Sequence, residues 1–129
     1  MSNVRFLMKL SLLLSVFIAL QSAHAGELSR KEWSDLFVAS AVPEVCANGS
    51  YFRECLSLSA AQCEQAALSA AKVCLADHAS RLPLTFTSKQ QSQEAGALIG
   101  QCLGGSMDVT FSSTKVANAK CRDPNAWKR

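Results

Sequence analysis

The side chains best suited to chemistry in this 129-residue chain are six cysteines, at positions 46, 55, 63, 74, 102 and 121. Their spacing argues for bonds between cysteines rather than bonds to a metal. Zinc sites draw on close C-x-x-C pairs or on histidines, whereas the two nearest cysteines here, Cys55 and Cys63, have seven residues between them. A reactive thiol pair would also be expected as C-x-x-C, and the motif is absent. An even number of cysteines in an exported chain is the pattern of a disulfide framework, so Cys46, Cys55, Cys63, Cys74, Cys102 and Cys121 are expected to form three structural disulfides. No metal and no cofactor are expected.

Other catalytic chemistry finds few residues to work with. Of the two histidines, His24 falls in the N-terminal segment discussed below, which leaves His78 beside Asp77. A serine hydrolase would need G-x-S-x-G or another Ser/His/Asp arrangement, and Gly104-Gly105-Ser106 does not fit the motif. No H-E-x-x-H is present, and Glu54, Glu64, Asp77, Glu94 and Asp108 are too dispersed for spacing to nominate a pair of glycosidase carboxylates. The chain therefore reads as a non-enzyme, with a minor activity at His78 as the weakest of three functional readings.

The elements that must position the cysteines begin after a leader. Residues 1–25 carry Arg5 and Lys9, an apolar run from Leu10 to Leu20, and Ser22-Ala23-His24-Ala25, the three parts of a secretory signal peptide. The run is short of the ~20 apolar residues a membrane span requires. Cleavage after Ala25 leaves residues 26–129 as one helical, disulfide-rich domain in the periplasm or extracellular space, with no membrane span. Two basic residues leave with the leader, so 11 face 10 acidic ones and the formal charge falls from +3 to +1. That balance gives no support to a nucleic-acid partner.

The rest of the chain reads as all-α: a small disulfide-stapled bundle of four to five helices built on two long antiparallel ones. Ser59 with Gln62 forms a capping box, and Pro83 forbids a helix beyond Leu82, so Ser59 to Pro83 is expected as one long central helix. Cys63, Ala66, Ala67, Ala70 and Cys74 share one face of it; Ala61, Leu68, Leu75 and Leu82 form a second apolar line. Ser29 with Glu32 opens a first helix running towards Pro43, whose Trp33, Leu36, Phe37 and Ser40 have the spacing of a docking face. A separate helical turn is expected at Pro43 to Ala47, then a break at Asn48-Gly49-Ser50, a sequon read as a turn. Ser50 then caps a short helix, Tyr51 to Ser57. Leu84 to Thr87 alternates like a strand, but with nothing to pair with it is expected as an extended connector whose Leu84 and Phe86 plug the core.

Ser88 with Gln91 opens the second long helix, about Lys89 to Phe111. Gly96, Gly100 and Gly104 recur along it at intervals of four, with Gly105 adjoining. Helix glycines cost up to ~1 kcal/mol each, so the face of Gly96, Ile99, Gly100, Leu103, Met107 and Phe111 is expected to lie very close to the central helix. On that reading Gly96→Leu and Gly100→Leu destabilise the fold. Cys102 falls on a different face, with Ala95, Leu98 and Val109, and is expected to bond to a covering segment through Cys121 or Cys46. The tail is expected to form a turn or two of helix around Lys115 to Lys120, capped by Ser113 or Thr114. Trp127 either meets a partner or folds back.

Six cysteines allow fifteen pairings, and the three that contain Cys63 with Cys74 fail because one helix holds those two ~16 Å apart. Among the others the sequence leaves the choice open, with Cys55 turning back to Cys63 and Cys46 and Cys121 reaching Cys74 or Cys102 as candidates. Architectures of this kind serve as inhibitors, immunity proteins, carriers and envelope-assembly subunits. The leading expectation is a non-catalytic module that binds another exported or envelope protein. The second is a carrier of a small apolar ligand held between the two long helices.

Overall fold

A computed structural model describes residues 26–127. The segment 1–25 expected as a signal peptide lies outside the described residues, as do Lys128 and Arg129. In chain order the elements are β1 (Leu28–Ser29), α1 (Arg30–Val45), α2 (Tyr51–Cys55), α3 (Ala60–Asp77), β2 (Thr85–Phe86), α4 (Lys89–Thr110) and α5 (Ala119–Arg122). Single 3-10 turns occupy Ala79–Arg81, Ser112–Thr114 and Pro124–Trp127. The protein is an all-α bundle, stapled by three disulfides and built on the long antiparallel pair α3 and α4.

The helix starts follow from local hydrogen bonding. At Ser29 the hydroxyl accepts from the Glu32 amide (3.2 Å) while the Ser29 amide donates to the Glu32 carboxylate (2.8 Å). Ser59 and Gln62 exchange the same two bonds, at 3.2 and 3.0 Å. Each box satisfies two amides that a helix N-terminus would otherwise leave without partners. The third box is only half formed: Ser88 accepts from the Gln91 amide, but Gln91 Oε1 accepts from the amide and hydroxyl of Thr87 instead.

The helix ends depart further from expectation. α1 runs through Pro43 to Val45 rather than yielding to a separate turn. Pro43 and Ala39, whose carbonyl loses its usual amide donor there, are both exposed, so water can replace the missing bond. Buried Val42 and Cys46 meanwhile hold the last turn on the core. The docking face of α1 contains Trp33, Phe37, Val38 and Val42; Leu36 is 57% exposed, and Ser40 is exposed with its hydroxyl bonded back to the carbonyls of Leu36 and Phe37. Trp33 is core, stacked between Phe37 and Phe86 at centroid distances of 5.3 and 4.7 Å.

α3 ends at Asp77, five residues short of Leu82. Pro83 disfavours a helical Leu82, which is extended and buried, and the Arg30 guanidinium donates to the carbonyls of Leu82 (2.6 Å) and Pro83 (3.2 Å). The second apolar line is not continuous either, because Ala61 and Leu68 are exposed and Leu75 is half-buried. The extended segment after it does have a partner: Thr85–Phe86 pairs antiparallel with Leu28–Ser29, Leu28 opposite Phe86 and Ser29 opposite Thr85. Two residues near the N-terminus carry too little pattern to be read as a strand. Phe86 plugs the core as expected, but Leu84 is 77% exposed.

The disulfides are Cys46–Cys63, Cys55–Cys121 and Cys74–Cys102. Cys63 and Cys74 do fasten α3 to different neighbours, but Cys55 goes to the tail rather than to Cys63, and Cys74 joins α4 directly. Cys102 therefore faces α3, contrary to the expectation of a covering segment. The reason is a rotation of α4 relative to the glycine-centred face: its buried residues are Ala95, Ile99, Leu103 and Met107. A methyl group added at Gly96, Gly100, Gly104 or Gly105 would meet no neighbouring atom within 4 Å. Close approach comes instead from Ala67, Ala70 and Ala71 of α3, which pack with Leu103 and Met107 in one cluster; Cys74, Ala95, Ile99 and Trp33 belong to the other.

This reverses the expectation for the glycines. Gly100→Ala, at an exposed helical position with room for a methyl, should raise stability by about 0.5–1 kcal/mol. Ala71→Leu should lower it by about 1–3 kcal/mol, because a larger side chain has no space between the helices. Denaturant melts of the two variants check the contrast, and a destabilised Gly100→Ala would restore the glycine-packing account.

Candidate functional site

The tail converges on α2. Asn48-Gly49-Ser50 forms the expected turn, with Gly49 at φ +79°, a conformation that favours glycine. It delivers Ser50 to cap α2 through the Arg53 amide and sets Tyr51 at the helix start. At the other end of α2, Cys55 is bonded to Cys121, and the Val116 amide donates to the Cys55 carbonyl at 2.7 Å. Thr114, expected as a helix cap, donates its hydroxyl to the Leu56 carbonyl at 3.2 Å. The tail helix begins later than expected, with Asn118 accepting from the Cys121 amide as its cap.

Five side chains gather around Tyr51 as a result. The Tyr51 hydroxyl donates to Asp108 Oδ1 at 2.7 Å, and Lys115 Nζ lies 3.2 Å from both oxygens of that carboxylate and 5.5 Å from the Tyr51 ring centre. Trp127 meets Tyr51 edge to face at 5.5 Å and donates its indole N–H to the Lys120 carbonyl at 3.0 Å. Lys120 Nζ lies 4.3 Å from the Trp127 ring centre and 3.0 Å from Glu54 Oε2. Each aromatic ring thus carries an ammonium that is itself paired to a carboxylate. Such contacts are individually modest where water reaches them.

Two open hollows of about 450 Å³ each share Tyr51 and Trp127 as a common wall. One also contacts Glu44, Val45, Phe52 and Lys120; the other contacts Asp108, Lys115, Arg122 and Pro124. The Tyr51 hydroxyl titrates above its ordinary value, chiefly because burial disfavours the phenolate, with its bond to Asp108 acting in the same direction against the opposing influence of Lys115. Lys115 is also held above its ordinary value, by the Tyr51 hydroxyl and then by Asp108.

The residues singled out from sequence lie elsewhere or act as scaffold. The six cysteines are all in disulfides, and two of them, Cys55 and Cys121, brace this site. His78 is the C-cap of α3, half-buried at the end of that helix. Ser29, Ser50, Ser59 and Ser88 are engaged at helix starts and Ser40 within α1, so none of them forms a dyad with His78. Among the described residues no three His, Cys, Asp or Glu side chains are grouped to hold a metal ion. Tyr51, Asp108 and Lys115 were missed because they come from separate segments, Tyr51 and Asp108 57 positions apart, with no shared local pattern to announce their meeting.

Tyr51 is the only tyrosine in the chain, so phenolate absorbance reports on it alone. Its midpoint should lie above 10.0, and Asp108→Asn should lower it by removing a neighbouring negative charge and the hydrogen-bond acceptor. Both groups with raised values retain protons in the folded state longer than in the unfolded one. The stability they contribute is therefore present below pH ~10 and declines as pH rises through the folded values. A midpoint at or below 10.0 would contradict this geometry. Searches of protein-family models, curated proteins and solved structures find no match to this chain.

Proposed function

We propose that this chain is an exported, non-catalytic protein-binding module whose contact surface is centred on Tyr51 and Trp127. The observation that carries the reading is the pair of half-buried aromatic rings set as a wall between two open hollows. Tyrosine, tryptophan and arginine are enriched at the centres of protein interfaces, where a flat ring buries much area at little entropic cost. Here Tyr51 is held by Asp108 and Trp127 by its bond to Lys120, so both present ordered surfaces. Export is supported by the signal-like residues 1–25 and by three disulfides, which persist in oxidising compartments.

The carrier reading places an apolar ligand between α3 and α4. That contact is occupied by alanines, Leu103, Met107 and the Cys74–Cys102 bond, and the glycines that would make room lie off it. The surface reading is therefore preferred, and a catalytic role at His78 has no matching constellation to support it.

The test is retention of a protein from the envelope or culture fluid of the host by the immobilised mature chain. One retained species should be lost with Tyr51→Ala and with Trp127→Ala, each by tenfold or more, and kept with Leu84→Ala, which removes an exposed side chain away from the site. Equal retention by all variants, or none by the parent, would sink the reading.

A further inference from the structure

The mature chain is nearly neutral as a whole but divided along its length. From Gly26 to Phe111 six basic residues face nine acidic ones; from Ser112 to Arg129 five basic residues face one acid, Asp123. The Cys55–Cys121 bond carries the basic run onto α2, so Lys115, Lys120 and Arg122 flank the wall formed by Tyr51 and Trp127; Glu44 lies with Lys120 in the first hollow, and the second, with Lys115 and Arg122 against Asp108, is the more basic of the two. Lys115 and Lys120 are paired to Asp108 and Glu54, but these are exposed or half-exposed ion pairs of the kind that exchange readily in water. Arg122 is exposed and has no side-chain partner among the described residues.

The site already shows how it treats a carboxylate. Twice, an ammonium over an aromatic ring meets an acidic side chain of the chain's own body. Resting on the protein-binding reading above, we infer that the Tyr51–Trp127 surface docks an acidic segment of its partner protein. Carboxylates of that segment meet Lys115, Lys120 and Arg122 while its apolar side chains enter the hollows beside Trp127. A chain that threads past a wall suits two concave hollows better than the flat charge layer of a membrane does.

The probe is poly-L-glutamate added to the mature chain, with the change in tryptophan fluorescence as readout; Trp33 emits too but is buried in the core with Phe86 and Ile99, so a change on docking at this surface reports Trp127. Binding should be saturable and weaken as salt is raised. Lys120→Gln and Arg122→Gln should each weaken it about two- to fivefold. Lys72→Gln and Lys89→Gln, the same charge change on exposed positions of α3 and α4, should leave it unaltered. Absence of binding, or equal weakening by the two control variants, overturns the inference. So does binding to phosphatidylglycerol vesicles as tight as that to poly-L-glutamate, which would assign the basic end to an anionic bilayer. If poly-L-glutamate fails while Tyr51→Ala and Trp127→Ala still abolish capture of a protein, the acidic partner is rejected and the binding surface stands.

Discussion

The contact between α3 and α4 is made on one side largely by single methyl groups, because Ala67, Ala70 and Ala71 are the buried residues there. Alanine lets two backbones come close, but it removes far less apolar surface from water than leucine would, at ~25 cal/mol per Å². The three disulfides compensate for that shortfall in another way. In a chain-entropy account, cross-links spanning 17, 28 and 66 residues each stabilise by about 3–4 kcal/mol, comparable to a large part of a small domain's net stability. α3 is central because Cys63 ties it to the end of α1 and Cys74 ties it to the middle of α4. The tail is fastened separately, by Cys55–Cys121 and by the Val116 amide on the Cys55 carbonyl.

The parts of the fold that could be read from sequence are those whose cause lies within one turn of helix. Ser29 with Glu32 and Ser59 with Gln62 carry their hydrogen bonds in their own spacing, and both boxes form. The extent of the elements was less legible wherever a distant residue decides it. Leu82 leaves the helix because Pro83 follows it, and its carbonyl is taken by Arg30, more than fifty residues earlier. Ser57 adopts a positive φ of 57° between Leu56 and Leu58, both buried, and nothing in its own type announces that. The glycines of α4 misled for the opposite reason. Their regular spacing has a physical cost, but they sit at the edge of the contact: Ile99, Leu103 and Met107 of the expected face are buried, while a methyl at any of the glycines would touch nothing.

The candidate site was the least legible part. Tyr51 and Asp108 are separated by 57 positions and meet only because α4 passes beside α2. Trp127 belonged to a tail that composition alone marked as polar. What brings Trp127 to Tyr51 is Cys55–Cys121, one choice among the pairings open to six cysteines and one that spacing left undecided. The charge pattern had the same hidden quality, since a net value near zero conceals an acidic body and a basic end.

The order in which the disulfides interleave has a consequence for a chain exposed to proteases. Cys46–Cys63 overlaps Cys55–Cys121 in sequence, and Cys74–Cys102 lies inside the longer loop. A single backbone cut anywhere between Cys46 and Cys121 therefore leaves the molecule in one covalent piece. Only the segments before Cys46 and after Cys121 can be shed by one cut, and the first is anchored by Trp33 in the core. The segment after Cys121 carries Arg122 and Trp127 on mostly exposed backbone. Trimming would remove these two residues from the surface while sparing the body, so the covalent design protects the scaffold more completely than it protects the face the scaffold presents.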